Sequence, residues 1–272
     1  MIIKALMENT AMEGLACEHG LSLYIEALGR RILFDTGAGP SYMDNAKTMG
    51  VDLSRVEFGV VSHGHYDHGG GLPAFLAVNE EADIYIHRLA FEDYYHGKAE
   101  GQPDYIGIDQ SLQESGRFIL TEGRFEMQEG IWLFSDVSHP APLPSSNRDL
   151  LMKQEGELVD DLFLHEQNLV IEEDGVTVLF TGCAHNGIVN IVRYFYSLRG
   201  RYPDYVLGGF HLSKGGDDHE SYEEIDRIAA FLTETEATYY TGHCTGLLPY
   251  ERLREKMGDQ VRYLSAGTLL EL

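Results

Sequence analysis

Short apolar runs rich in β-branched and aromatic residues recur along this chain, and Gly, Asp, Asn or Pro bound each run. This pattern is typical of strands. We predict strands at Leu21–Ile25, Arg31–Phe34, Phe58–Ser62, Ile84–His87, Ile131–Phe134, Leu169–Glu172, Val176–Phe180, Tyr205–Leu207, Thr238–Thr241 and Val261–Leu264. The sequence Glu173-Asp174-Gly175, between two of these runs, predicts a hairpin turn.

Helical periodicity appears in fewer places. Apolar residues recur every three to four positions in Asn186–Leu198 and in Tyr222–Thr233, so each segment should bury one face. Gly71–Ala77 and Leu248–Met257 are further predicted helices. The first half of the chain is dominated by predicted strands, and strand–helix alternation appears in the second half.

Two polar stretches interrupt these predicted elements. Lys98–Gly116 has poor periodicity and is interpreted as an insertion, and Ser138–Glu157 contains three prolines and is interpreted as a long loop. Such segments often face a substrate, although a plain surface excursion fits equally well. Neither has the composition of a linker, so we expect a single domain over residues 1–272.

The charge balance narrows the class of partner. The chain has 20 Lys and Arg against 44 Asp and Glu, which gives a formal net charge of −24. A surface this acidic repels phosphate backbones and anionic membranes. We therefore expect a small-molecule substrate, and neither nucleic acid nor membrane as a partner, and we leave homo-oligomer formation open.

The cysteine count and the apolar runs indicate the compartment. Three cysteines cannot form a disulfide framework, and the first residues lack the pattern of a signal peptide. No run approaches the ~18 consecutive apolar residues of a membrane span. We expect a cytoplasmic protein.

The strongest chemical signal follows the predicted strand Phe58–Ser62. His63, His65, Asp67 and His68 come next and lead into three glycines. Imidazole nitrogen and carboxylate oxygen are ligands that zinc, iron and manganese accept. His63 and His65 project to the same side of an extended segment, whereas Asp67 and His68 can point at a second ion. We expect the glycines to let the backbone approach the metals.

Three later segments place a histidine just after a predicted strand. They carry Cys183 with His185, then His211, and then His243. Functional residues commonly lie where strands give way to loops at the carboxyl edge of an α/β sheet. Four ligands in one loop cannot complete two metal sites, so these segments are candidates. Taken singly, each histidine is as consistent with a structural role as with metal ligation.

The spacing His63-x-His65-x-Asp67-His68 after an apolar strand resembles the signature of the metallo-β-lactamase superfamily. This resemblance spans nearly the whole chain. It implies an α/β (α+β) fold, the four-layer αββα sandwich, with one or two metals at the edge of the two sheets. It also implies that Asp35 supports the metal-binding loop.

A narrower resemblance concerns a subgroup of this superfamily. The segments that carry it are Glu18–Ser22, His63–Gly71, Thr181–His185, Gly209–Leu212 and His243–Gly246. Members of the subgroup are often described as similar to an archaeal dihydropterin ribofuranosyl-aminobenzene phosphate synthase. This subgroup implies a transferase as an alternative to a hydrolase.

The sequence departs from the superfamily pattern at Cys183, where an aspartate usually bridges the metals. A thiolate can bridge or bind a soft metal, but a cysteine could equally be a small buried hydrophobe. His185 is then our preferred third histidine for the first metal. His165 lies where many members keep that ligand and is its rival, although His165 could simply be solvated.

The resemblance implies a centre of two divalent metal ions, with zinc first and iron or manganese as alternatives. Whether one or two ions bind is left open. Asp67 would also accept a proton from the attacking water, and His211 would protonate the leaving group. The expected metal ligands are His63, His65, Asp67, His68, Cys183, His185 and His243.

The other histidines give weaker signals. His19, beside Glu18, could face the site from the opening hairpin. The remaining four lie in contexts that do not converge with the others, and we expect them at the surface: His87, His96, His139 and His219.

These observations predict a metallohydrolase that acts on a small-molecule phosphoester or related bond. The alternative is the transferase reaction of the archaeal synthase, for which Arg148, Lys153 and Lys214 are candidate phosphate-binding cations. A non-catalytic metal or ligand sensor is a second alternative. A redox role is a third alternative, but it usually needs a fused flavin domain or a partner, and we expect no such domain here.

Overall fold

The computed structural model describes residues 1–97 and 101–272. Its strands are β1 (Ile2–Met7), β2 (Ser22–Ala27), β3 (Arg30–Phe34), β4 (Phe58–Val61), β5 (Asp83–His87), β6 (Tyr94–His96), β7 (Asp104–Tyr105), β8 (Phe118–Thr121), β9 (Arg124–Gln128), β10 (Ile131–Phe134), β11 (Leu150–Gln154), β12 (Glu157–Asp160), β13 (Asn168–Glu173), β14 (Val176–Phe180), β15 (Tyr205–Leu207), β16 (Ser213–Gly215), β17 (Asp218–His219), β18 (Thr238–Thr241), β19 (Val261–Tyr263) and β20 (Leu269–Glu271). Its α-helices are α1 (Ser41–Thr48), α2 (Tyr66–Gly69), α3 (Leu72–Val78), α4 (Ile188–Arg199), α5 (Tyr222–Glu234) and α6 (Leu247–Met257).

Two seven-stranded sheets form the framework. The first has the order β20-β1-β2-β3-β4-β5-β8, and the second has the order β19-β18-β15-β14-β13-β10-β9. In each sheet, antiparallel strands lie beside a parallel set: β3, β4, β5 and β8 in the first, and β14, β15, β18 and β19 in the second. The carboxyl ends of the parallel strands therefore gather at one edge of each sheet.

The two sheets pack face to face through apolar side chains. Along β10, Ile131 and Leu133 are buried between the sheets, while Trp132 and Phe134 are buried on the opposite face. This alternation follows from the two-residue period of a strand. Both faces of the second sheet are covered, which is why its central strands are apolar at nearly every position.

Helices cover the outer faces of both sheets. Tyr42 of α1 and Phe75 of α3 pack against the first sheet. Phe195 of α4, Leu232 of α5 and Leu253 of α6 pack against the second. The resulting layer order is αββα, so the fold implied by the resemblance is confirmed. Within the described ranges, none of the helices is long and apolar enough to cross a membrane.

All ten predicted strands and all four predicted helices are present, with ends that differ by at most two residues. The predicted hairpin turn joins β13 to β14, and Asp174 (φ 51°) and Gly175 (φ 84°) both adopt the positive φ that a two-residue type I′ turn requires. Helix α1 was not predicted, because its buried face includes Asn45. The Asn45 amide group donates to the carbonyl oxygens of Leu6 and Ala16 at 2.7 and 2.8 Å.

The long-loop interpretation of Ser138–Glu157 is wrong for the second half of that segment. Residues 150–154 form β11, which belongs to a small sheet of order β12-β11-β6-β7. Pairing between β11 and β6 joins residues far apart in sequence, so local composition gives no signal for it. Of the presumed insertion Lys98–Gly116, residues 98–100 lie outside the described residues, and the remainder contains β7 and a 3₁₀ turn at Gln110–Ser115.

The surface prediction is also wrong for His87. This side chain ends β5 and is only 2% exposed, and burial lowers its pKa to about 4. His96 and His139 are exposed and His219 is partly buried, as expected of histidines outside a site. Burial of a neutral imidazole makes His87 a source of acid sensitivity.

We expect His87→Asn to reduce the loss of stability on acidification. The unfolded chain binds the His87 proton below about pH 6.5, whereas the folded chain binds it only near pH 4. The contribution of neutral His87 to the free energy of unfolding is therefore complete above pH 6.5 and is lost as the pH falls toward 4. At pH 5 the free energy of unfolding is therefore lower by about 2 kcal/mol than at neutral pH because of His87. Urea unfolding of chelated wild type, His87→Asn and the exposed control His96→Asn at pH 7 and 5 measures it. An identical pH dependence in wild type and His87→Asn would contradict this account.

Candidate metal centre

The candidate ligands come from loops at the carboxyl ends of parallel strands in both sheets. His63 follows β4, Cys183 follows β14 and His243 follows β18. Gln167 joins the sheets at this edge, because its side-chain amide donates to the carbonyl oxygen of Val61 at 2.8 Å and its backbone N–H donates to that of Ser62 at 2.8 Å. The segments that carry the candidate ligands are therefore held side by side.

The ligand atoms form two groups. In the first group, Nε2 of His63 lies 3.3 Å from Nε2 of His185. The His65 ring centroid lies 4.6 Å from that of His63 and 4.9 Å from that of His185. All three side chains are buried.

The second group contains Asp67, His68 and His243. Nε2 of His243 lies 3.1 Å from Nε2 of His68 and 3.3 Å from Oδ2 of Asp67. Cys183 lies between the groups: its Sγ is 3.2 Å from Nε2 of His68, and it is within 4.8 Å of the ligand atoms of both His63 and His185. The structure thus brings together all seven residues that we expected to bind metal.

The chemistry of these groups suits a divalent metal ion. In the described chain, Nε2 of His65 is buried and has no hydrogen-bond partner. Burial lowers the pKa of His63 and of His185 well below the ordinary value, so both imidazoles are neutral and keep a free lone pair. Facing neutral imidazoles with a carboxylate and a thiol are the donor set that zinc accepts.

Hydrogen bonds to Nδ1 aim the histidines of both groups at the centre. Asn147 Oδ1 lies 3.0 Å from Nδ1 of His185, and Asn9 Oδ1 lies 2.8 Å from Nδ1 of His243. A bond at Nδ1 leaves Nε2 free for a metal. Sequence reasoning missed both asparagines, because neither lies near a motif along the chain.

Asp35 supports the His63–His68 loop, as the resemblance implied. Its Oδ2 accepts from His68 Nδ1 at 2.6 Å and from Ser62 Oγ at 2.7 Å, and its Oδ1 accepts the Ser62 backbone N–H at 2.7 Å. The Ser62 hydroxyl also lies 2.9 Å from Nδ1 of His63. One buried carboxylate thus orients a histidine of each group.

Charges compensate one another in the second group. Burial opposes a charge on His68, but the Asp35 and Asp67 carboxylates outweigh it and raise the pKa of His68. Burial would raise the pKa of Asp67, yet His68, His19 and His243 hold that pKa well below its usual range. Asp67 is therefore ionised, which is the form that binds metal.

The suggestion that His165 is solvated is wrong. His165 is 1% exposed; its Nδ1 accepts the Gly64 backbone N–H at 2.8 Å, and its Nε2 bonds Asp161 Oδ2 at 3.0 Å. Both ring nitrogens of His165 are thus occupied, whereas Nε2 of His185 faces the first group. Glu166, which was not predicted, accepts the His185 backbone N–H at 2.6 Å and fixes the loop that carries this histidine.

The expected role of the glycines is also corrected. A Cβ at Gly70 would lie 2.2 Å from the Ala38 carbonyl oxygen, and one at Gly71 would lie 2.2 Å from the Thr36 carbonyl oxygen. These glycines therefore let one loop pack against another, rather than giving the backbone access to the metal positions.

Two further histidines border the centre. His211 follows β15, and its ring centroid lies 4.2 Å from that of His185. His19, which the sequence left undecided, does face the site: its Nε2 lies 3.2 Å from Asp67 Oδ2, and its side chain is 57% exposed. Glu18 instead accepts the Gly39 backbone N–H at 3.1 Å.

Comparison with known proteins identifies the family. The model of the metallo-β-lactamase superfamily matches residues 16–243, and this chain belongs to that superfamily. An uncharacterised protein of Methanocaldococcus jannaschii is 28% identical to this chain, and the alignment covers 93% of this chain and 94% of that protein. The 7,8-dihydropterin-6-methyl-4-(β-D-ribofuranosyl)-aminobenzene-5′-phosphate synthase of the same organism is 26% identical to this chain. That alignment covers 93% of this chain and 90% of the synthase.

A solved structure extends the comparison. The crystal structure of a metal-dependent hydrolase of the β-lactamase superfamily superposes with a TM-score of 0.84. It is 28% identical in sequence, and the alignment covers 100% of this chain and 99% of that one. Both the fold and the superfamily are thereby established.

We expect Asp35→Asn to lower metal affinity 10- to 100-fold, because the variant loses the charge that orients His68 and Ser62. Competition with a fluorescent zinc chelator measures the dissociation constants of both proteins. Asp44→Asn, an exposed change on α1, is the matched control and should keep wild-type affinity. Equal affinities for Asp35→Asn and wild type would show that the carboxylate does not support the ligands.

Proposed function

We propose that this protein is a cytoplasmic metallohydrolase that cleaves a phosphoester or related bond in a small molecule. The observation that carries the proposal is the pair of buried ligand groups with Cys183 between them. The likeness to a metal-dependent hydrolase at 28% identity supports it. The three free cysteines suit a reducing compartment.

The proposal assigns two divalent ions, with zinc preferred over iron or manganese. His63, His65 and His185 would hold the first ion, Asp67, His68 and His243 would hold the second, and Cys183 would serve both. Ions held there would acidify a water molecule and polarise the oxygen atom under attack.

Two side chains of the centre would move protons. The ionised carboxylate of Asp67 lies next to the exposed His19 and would accept a proton from the attacking water. His211 would donate a proton to the leaving group. In the described chain neither ring nitrogen of His211 has a hydrogen-bond partner, so no other side chain holds the proton that it would donate.

Wild type purified without chelator should contain two zinc, iron or manganese ions per chain by plasma mass spectrometry. His185→Ala should contain one or none, because it removes a ligand of the first group. His96→Ala, which removes an exposed histidine, is the matched control and should keep both ions. Wild type that takes up no transition metal, even after reconstitution, would overturn the proposal.

His211→Ala should keep the two ions and lose turnover by 10²- to 10⁴-fold, the range of general acid–base catalysis. Steady-state kinetics on bis(p-nitrophenyl) phosphate and related esters, with metal content measured on the same samples, test this. His96→Ala again serves as the control. Undiminished turnover in His211→Ala would exclude His211 as the proton donor.

A transferase is the second candidate, and the 26% identity to the archaeal synthase favours it. The candidate phosphate-binding cations are engaged with neighbours: Lys214 pairs with Asp149, and Lys153 Nζ lies 3.8 Å from Asp93 Oδ2. Arg148 donates to the Ser145 carbonyl oxygen at 3.1 Å. Product formation that requires both an aromatic acid and a ribosyl phosphate donor would favour the transferase over the hydrolase. Absence of turnover in both the hydrolase and the transferase assays would favour a non-catalytic metal or ligand sensor.

A further inference from the structure

A third cluster of ligand atoms shares Cys183 with the two groups described above. Sγ of Cys183, Sγ of Cys244 and a ring nitrogen of His211 all lie within 4.8 Å of one another. These residues come from the loops after β14, β18 and β15, three neighbouring parallel strands. Cys244 was not among the predicted site residues, and both thiols are buried.

The ring nitrogens of His211 are left unsatisfied by the part of the protein that the structure describes. Both ring nitrogens are buried, and neither has a hydrogen-bond partner within residues 1–97 and 101–272. A buried imidazole without partners is costly, and such groups usually contact a ligand, ion or water. The His211 backbone is also held at φ 50°, which residues other than glycine rarely adopt.

The surroundings of Cys244 make room for its sulfur and orient it. The sulfur accepts the His211 backbone N–H at 3.3 Å. A Cβ at position 209 would lie 2.4 Å from this sulfur, so Gly209 is required where Cys244 enters the cluster. The sulfur is thus fixed next to the imidazole that lacks partners.

We propose that Cys183, Cys244 and His211 form an additional site for one thiophilic cation, such as zinc, cadmium or copper(I). Two sulfurs and an imidazole are the ligands that select soft or borderline metals. Bonds of about 2.3 Å to sulfur and 2.0–2.1 Å to nitrogen span atoms up to ~4.6 Å apart, so a small inward shift closes the site. Each thiol that binds the ion releases its proton to solvent.

Occupation of this site has a functional consequence that rests on the proposed function. An ion bound to His211 takes the lone pair that would otherwise hold the donated proton. Excess thiophilic metal should therefore inhibit turnover, while the two ions of the main centre stay in place. Cys183 is shared between the main centre and the additional site.

Native mass spectrometry of cadmium-saturated protein tests the site without an activity assay. Wild type should hold one ion more than Cys244→Ser, which keeps the size of the side chain but replaces sulfur by oxygen. Cys17→Ser removes an exposed cysteine and should match wild type. Sulfur-to-cadmium absorption should fall in Cys244→Ser and stay unchanged in Cys17→Ser. Equal ion counts in wild type and Cys244→Ser would overturn the proposal.

A second variant covers the case in which Cys244→Ser does not fold, as judged by circular dichroism. His211→Ala should also bind one cadmium ion fewer than wild type, and an equal count would overturn the site. His185→Ala tests the main centre independently. If His185→Ala leaves the count unchanged while Cys244→Ser lowers it, the proposed function fails and the additional site stands.

Discussion

The Asp35 carboxylate ties the end of β3 to the end of β4, and the arrangement of the candidate centre depends on it. Burial of a lone carboxylate is unfavourable, but three hydrogen bonds to Ser62 and His68 offset the cost. The Ser62 hydroxyl, which donates to Asp35, also contacts Nδ1 of His63, so the carboxylate acts on His63 through Ser62. A single buried charge therefore sets the orientation of imidazoles in both ligand groups.

The loops of the candidate centre contain several residues with unfavourable backbone conformations, and the two packed sheets hold these loops in place. Asp35, Ala184, His211 and His243 all have positive φ, a conformation that costs non-glycine residues free energy. These residues lie in the loops that carry or support the candidate ligands. The sheets and their helices bury a large apolar core, and the rigid strand ends hold these loops in strained conformations that a flexible chain would relax.

Cys183 changes the ligand chemistry expected of this fold. A thiol is a softer ligand than the aspartate it replaces, so the centre should prefer zinc or iron to magnesium. Burial raises the pKa of the Cys183 thiol well above its usual value, so proton release from it needs the positive charge of a metal. Metal binding at Cys183 would therefore be coupled to pH.

The sequence by itself determined the features of this protein that depend on residues close together along the chain. Two-residue alternation and helical periodicity depend on neighbouring residues, and so does the spacing of His63 to His68; these gave the strands, the longer helices and the superfamily. Contacts between distant segments could not be predicted, because no periodicity links Asn9 to His243 or Asn147 to His185. Only the tertiary structure placed Cys244 beside His211 and buried His87, since strand order decides which loops meet and which strand ends are covered.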